Sequence, residues 1–346
     1  MDSLKKSFLF KLKYYIILNM TIIDKDKILC KTLSKKLKFK KVSDGKLRAV
    51  FNKTSLWDKS DLEICFINNY EDWRRAWVAY IITNNMQPYL GIRFKFNLDD
   101  VPDPEKYDIR VDFNTDKGAY SLIGTDAKYT SNPETMNLGW IDAPSDSNFT
   151  YNEKEYYIPE DATGLTGGGN HVGGTVLHEF GHALGMVHEH QSPFDNPFIW
   201  NVDNIYKEYS GPPNNWNYQD IKDNFLNNYG DQIEIYNGSS FDPYSIMKYA
   251  MGSSTELLDK SKYDSDDKYE IAIGMLTKLN IKLSDVDKYW LGRNYPGGKD
   301  IVPEPPNIIN YDVFLPQKMP KNQIILIGIG AIIIVILILF IITKFT

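Results

Sequence analysis

Cysteine is nearly missing from this sequence. Cys30 and Cys65 are the only two in 346 residues, which excludes a scaffold held by a disulfide framework and suits a reducing compartment. One Cys30–Cys65 pair stays open, but neither residue stands in a metal-ligand spacing, and buried free thiols are the default expectation. Histidine is almost as scarce, with five. No internal repeat is apparent, which argues against solenoids and propellers. No basic segment carries the interleaved aromatics of a nucleic-acid surface, so nucleic acid is not an expected partner. A clean secretory signal is also missing: Lys11 and Lys13 interrupt the apolar stretch near the N-terminus, and no convincing small-residue cleavage site follows. The sequons at Asn52, Asn148 and Asn237 do not overturn that, since an Asn-rich chain generates them by chance.

Material for a core is ample, at 42% hydrophobic and 14% aromatic residues. The formal charge of -6 hides a split. Met1–Lys53 carries 15 Lys and Arg against 4 Asp and Glu, while the rest of the chain carries 24 against 41. A basic arm, residues 1–45, thus precedes an acidic body, residues 46–296. Such an arm can touch phosphates or anionic lipid or dock on its own domain, and a solvated lead is the plainer reading. Residues 297–323 are proline-rich and read as a stiff stalk. The uncharged run Ile324–Ile342 has nineteen residues; at about 1.5 Å each it spans a bilayer's hydrocarbon core, so residues 324–343 are expected to form a single transmembrane helix in a lipid bilayer. Gly328 and Gly330 are too closely spaced for the usual helix-pairing motif, which leaves the oligomeric state open. With no signal, the body is expected on the cytosolic face.

The body reads as α/β. Leu62–Ile67, Ile92–Phe96, Asp108–Phe113 and Thr135–Ile141 suggest strands, and in the third Ile109, Val111 and Phe113 alternate onto one face. Between the first two, Trp73, Trp77, Tyr80 and Ile81 recur at helical spacing. A glycine run, Gly167–Gly169, precedes a periodic helix that must stop near Gly185. A last helix starts at Ser284 as N-cap, with Asp287 in the capping-box position and Pro296 beyond its end.

Four of the five histidines crowd into "TVLHEFGHALGMVHEHQ", Thr175–Gln191. His178 and His182 are i and i+4, so on a helix their imidazoles share one face and can take two corners of a tetrahedron around Zn2+. Gly185 permits positive φ, so the helix can end and the chain reverse. His188 then returns as third donor, leaving the fourth corner for water, the arrangement of a catalytic zinc site. Glu179 follows the first ligand and is placed to act as general base on that water. HExxHxxGxxH fixes five positions at once, two more than bare HExxH.

These residues resemble the metzincin zinc endopeptidases, whose long motif is followed by a methionine turn. "DPYSIMKYA", Asp242–Ala250, supplies that element. The likeness is to astacin-like enzymes, which carry a glutamate after the third histidine, as Glu189 does here, and read S-x-M-x-Y in the turn, as Ser245, Met247 and Tyr249 do. The resemblance implies an α+β metzincin fold: a mixed twisted sheet, an active-site helix and a C-terminal helical subdomain. It implies one Zn2+, a peptide or protein substrate, and Met247 as an apolar floor under the three histidines. Tyr249 inherits the role of a resting ligand that swings to the tetrahedral oxyanion, and Met136, Asn137, Leu138 and Gly139 that of a sheet edge pairing with substrate. Departures are definite. Astacin-like domains usually hold four cysteines, and this chain has only Cys65 in that region. The arm lacks their Phe-x-Gly-Asp motif, so Glu189 needs another partner, such as an arm lysine. His190 and His171 receive no role. The leading expectation is a membrane-tethered zinc endopeptidase; a catalytically silent peptide- or partner-binding domain stands beside it.

Overall fold

The computed structural model describes residues 51–68, 70–139, 148–158, 173–192, 195–212, 214–226, 241–251, 255–305 and 311–315. β1 (Asp61–Phe66) buries Leu62 and Ile64 on one face and is followed by α1 (Asp72–Asn85), where Trp73, Ala76, Trp77 and Ile81 form the stripe that packs inward. β2 (Arg93–Asn97) returns parallel to β1. β3 (Ile109–Asp112) lies parallel on the other side of β1, with Ile109, Val111 and Phe113 in the core as their alternation predicts. β4 (Ala119–Ser121) and β5 (Met136–Leu138) complete a mixed five-stranded sheet in the order β2-β1-β3-β5-β4, in which only β4 runs antiparallel to its neighbour. A hairpin follows, β6 (Asn148–Tyr151) and β7 (Lys154–Tyr157), and its Phe149 stands edge-on to Trp77 of α1 at 5.1 Å.

This order corrects the expected substrate edge. Met136–Leu138 is an inner strand, since Asn137 pairs with Asp112 on one side and Tyr120 on the other. The Asn137 amide nitrogen donates to the carbonyls of Asn114 (2.9 Å) and Gly118, and the Gly139 N–H donates to Gly118 (3.0 Å), so these groups fasten the neighbouring turn. The edge is β4, whose Ala119 and Ser121 are themselves buried. With only three residues, β4 is too short to show alternation, which is why its place fell to the next strand.

α2 (Gly174–Ala183) packs against α1, β4 and β5. Beyond it come α3 (Val202–Tyr209), α4 (Tyr218–Ile221), which runs into a π-helical turn over Lys222–Leu226, α5 (Asp266–Thr277) and α6 (Asp285–Asn294). α6 starts with the expected capping box: Ser284 Oγ accepts the Asp287 N–H at 2.9 Å while Asp287 accepts the Ser284 N–H at 3.0 Å. Two apolar cores result, one under the sheet and one among the later helices. They meet at the turn around Met247, since Ile246 and Met247 belong to the first core and Tyr249 and Met251 to the second.

Within residues 297–323 the described parts touch the body. Asp300 N–H donates to the Pro88 carbonyl at 2.8 Å, and Gly298 lies so close to Tyr89 that no Cβ would fit there. Tyr311–Phe314 forms a turn whose Phe314 is buried in the second core against α5. Apolar burial of one aromatic outweighs the extending tendency of nearby prolines. Among the described residues no helix is long and apolar enough to cross a membrane. The arm, Cys30, Gly167–Gly169, His171 and Ile324–Ile342 all lie outside the described residues. Cys65 is a buried free thiol at the centre of β1, pushed up to about 12 by burial, and is chemically quiet for that reason.

Candidate metal centre

α2 begins after Gly173, which takes φ 82° and where an added Cβ would collide with the Ile81 side chain. His178 and His182 stand one turn apart with ring centroids 4.8 Å from each other. The helix ends in a Schellman motif. Gly185 adopts φ 94°, its N–H donates to His182 O at 2.8 Å, and the Met186 N–H donates to Gly181 O at 2.9 Å. That reversal brings the His188 ring to 4.7 Å from His182 and 5.4 Å from His178. The three side chains form the one His/Cys/Asp/Glu group able to hold a metal among the described residues, their donor atoms all within 4.8 Å of one another.

The hydrogen bonds fix which nitrogen faces inward. His178 Nδ1 donates to Ile246 O at 2.8 Å and His182 Nδ1 to Met186 O at 2.9 Å. His188 Nδ1 faces Gln191 Oε1 at 3.3 Å, and the Gln191 amide nitrogen is committed to Asp223 O at 2.8 Å. Each partner is an acceptor, so each Nδ1 carries the proton and each Nε2 presents a lone pair. Two of these, on His182 and His188, stand 3.1 Å apart. His178 Nε2 is buried with no hydrogen-bond partner. Three converging lone pairs repel one another unless a cation lies between them. Tetrahedral Zn–N bonds of about 2.0–2.1 Å imply donor separations of roughly 3.3 Å, close to that spacing. An all-imidazole set of neutral donors fits Zn2+, and these three residues would hold it.

Burial enforces the neutral state. It lowers His178 to about 4 and His190 to about 3, and holds His182 and His188 well below the usual imidazole range. Asp242 moves oppositely, pushed up to about 7 by burial and by the neighbouring Asp287 carboxylate. In the metal-free chain these shifts set a pH dependence. Below about 6.5 the unfolded imidazoles protonate while the folded ones do not, so stability falls as pH drops toward 4. Asp242 binds its proton in the folded state up to about 7 and, unfolded, only below about 4, so its contribution falls as pH rises through that window. Burial raises Asp287 as well, but four imidazoles outnumber two carboxyls, so unfolding near pH 5 takes up protons net. Urea melts of metal-free protein should therefore show the midpoint declining steadily from pH 6.5 to 4.5. A flat or rising midpoint would contradict the burial of the four rings.

Glu179 is fully buried beside His178, and Tyr249 is buried with its ring centroid 4.3 Å from His188 and 6.1 Å from His178. Met247 lies directly under α2: a Cβ on Gly181 would collide with its sulfur, which explains a glycine inside the helix. Glu189 N–H donates to Met247 O at 3.1 Å, and Glu189 Oε1 accepts the Asp242 N–H at 2.9 Å, so this glutamate ties the motif to the methionine turn. His178, Glu179, His182, Gly185, His188, Glu189, Met247 and Tyr249 are thus brought together, whereas Met136–Gly139 belong to the sheet interior. His190 turns out to be wholly buried. It stacks on Tyr249 at 4.1 Å and its Nε2 donates to Asn224 O at 2.8 Å. Sequence reasoning missed Gln191 and the carbonyls of Met186 and Ile246 as orienting groups. Backbone acceptors leave no residue-type signal, and Gln191 showed none.

No family model and no curated protein matches the chain. Solved structures do. A structure of myroilysin aligns with a TM-score of 0.51 and 27% identity, covering 72% of this chain and 98% of that one. A crystal structure of myroilysin aligns with a TM-score of 0.44 and 25% identity, over 78% of this chain and 91% of that one.

Proposed function

We propose that this chain is a zinc-dependent endopeptidase of the astacin-like metzincin type that cleaves peptide or protein substrates. The observation that carries this is the convergence of three Nε2 lone pairs, each Nδ1 committed to a carbonyl, beside a buried Glu179. Its likeness to the structure of myroilysin supports the same reading. His178, His182 and His188 would hold the Zn2+, which when bound would supply Lewis-acid polarisation of the scissile carbonyl and a lowered pKa for the attacking water. Glu179 takes the proton from that water at its carboxylate and returns it to the leaving amine nitrogen. The Tyr249 hydroxyl donates a hydrogen bond to the carbonyl oxygen as negative charge develops there. Met247 and Gly181 keep the helix and the turn in register beneath the ligands.

Purified protein should hydrolyse unfolded casein or a quenched fluorogenic peptide library. Phenanthroline should stop the reaction, and one equivalent of Zn2+ should restore it. Hydrolysis that survives complete metal removal would rule the mechanism out.

The hydrophobic run Ile324–Ile342 anchors the enzyme to a bilayer in this reading, with the catalytic body on the cytosolic side. Added trypsin should digest the body on intact microsomes and leave only a short membrane-protected fragment. Full protection of the body inside sealed vesicles would reverse the placement.

A further inference from the structure

Asp287 serves α6 as an ordinary capping-box residue, yet its carboxylate also reaches across to the methionine turn. Oδ1 accepts the Ser245 hydroxyl proton at 2.8 Å, and Oδ2 accepts the Ile246 N–H at 2.8 Å. Ser245 Oγ in turn accepts the Met247 N–H at 3.1 Å. That N–H belongs to the same peptide unit as the Ile246 carbonyl, and the Ile246 carbonyl accepts the His178 Nδ1 proton at 2.8 Å. Every donor in this series points the same way. The line runs from His178 Nδ1–H to the 246–247 peptide, on to the Ser245 hydroxyl, and ends on the Asp287 carboxylate. Asp287 and Ser245 are completely buried, and Ile246 is nearly so.

We propose that Asp287 is a positioning residue for the metal centre, acting on His178 through the Ser245 hydroxyl and the 246–247 peptide. Metal-binding histidines commonly give their second N–H to a carboxylate, which fixes the ring and raises the basicity of the ligating nitrogen. Here a polarised amide and a hydroxyl stand between the two, and hydrogen bonds aligned in series strengthen one another in a low-dielectric interior. The arrangement also explains why a helix-capping aspartate is buried. A desolvated carboxylate is tolerated only with donors on both oxygens, and the turn supplies two of the three. The same contact locks the ligand-bearing turn to the C-terminal helix, so α6 sets the orientation of a ring on α2.

The proposal rests on the zinc reading, and the test separates the two. Zinc affinity is measured by chelator competition, alongside the cobalt-substituted absorption spectrum and the melting temperature of metal-free protein. Asp287→Asn keeps the side chain's shape but ends the directed series. It should weaken zinc binding by about tenfold or more and shift the cobalt bands, while the metal-free melting temperature does not fall, since one of two apposed buried carboxylates is gone. Ser245→Ala cuts the series at its hydroxyl and should weaken zinc binding in the same direction, which covers the case in which Asp287→Asn does not fold. Ser284→Ala removes the other half of the capping box and should lower the metal-free melting temperature while leaving zinc affinity within about twofold. Wild-type affinity in both Asp287→Asn and Ser245→Ala would overturn the proposal alone. A wild-type protein that binds no zinc would overturn the zinc reading and this proposal with it.

Discussion

Glu179→Gln should retain one zinc per chain and lose catalysis. Removing a positioned general base costs about 10²–10⁴ in rate, equal to roughly 3–5 kcal/mol of transition-state stabilisation. The structure makes the substitution clean. Glu179 is fully buried on α2 immediately after the first ligand, and glutamine has nearly the same volume, so the helix and the three imidazoles need not move. The triad is held by its own bonds to Met186, Gln191 and Ile246, none of which involves Glu179. Metal content should therefore stay stoichiometric while kcat falls and KM changes little. Hydrolysis of a fluorogenic peptide, paired with metal analysis of the same sample, checks both halves. Equal rates for the two proteins would remove Glu179 from the mechanism. A wild-type protein that binds peptide without cleaving it would favour the silent-domain alternative.

How legible these parts were depends on how local their determinants are. The metal motif is confined to one helix and its reversal, where residue type and spacing decide geometry, so His178, His182, Gly185 and His188 could be placed from the sequence. The Ser284–Asp287 capping box is equally local, and α6 begins where it predicts. α1 and β3 announced themselves through periodicity, and β1 and β2 as short extended runs. What stayed hidden depends on contacts distant in sequence. Whether Met136–Leu138 is an edge is decided by β4, which is three residues long and carries no pattern. α5 passed unnoticed although Ser265 caps it and Asp266 and Asp267 fill its first turn, because its apolar residues do not form a clear stripe. Phe314 sits in a proline-rich stretch whose composition says nothing of the pocket on α5 that receives it. Asp287 was visible as a cap and invisible as a partner of the turn, since Ser245 and Ile246 lie about forty residues away in sequence.

His182→Ala should abolish stoichiometric zinc binding and, with it, activity. His182 and His188 are the two most enclosed rings of the triad. His182 is fully buried, its Nδ1 is committed to Met186 O, and its Nε2 stands 3.1 Å from that of His188. The turn that reverses the chain at Gly185 is thus also the turn that aims this ring. Apparent binding energies of about 10–16 kcal/mol for four-ligand zinc sites imply about 3–4 kcal/mol per donor, so losing one weakens affinity by roughly 10²–10³-fold. Stability separates a ligand from an ordinary core histidine. An ordinary buried histidine replaced by alanine destabilises the protein whether or not metal is present, through a cavity and an orphaned Met186 carbonyl worth about 1–3 kcal/mol. A ligand also relieves the metal-free state when removed, because one of three facing lone pairs disappears and part of that cost is offset. Zinc should therefore raise the melting temperature of the wild-type protein and leave that of His182→Ala almost unchanged, while the two metal-free proteins differ by less than the two zinc-treated ones. Scanning calorimetry with and without one equivalent of Zn2+ measures all four states. An undiminished zinc-dependent rise in His182→Ala would mean that the ion is held elsewhere, and the three-imidazole centre would have to be abandoned.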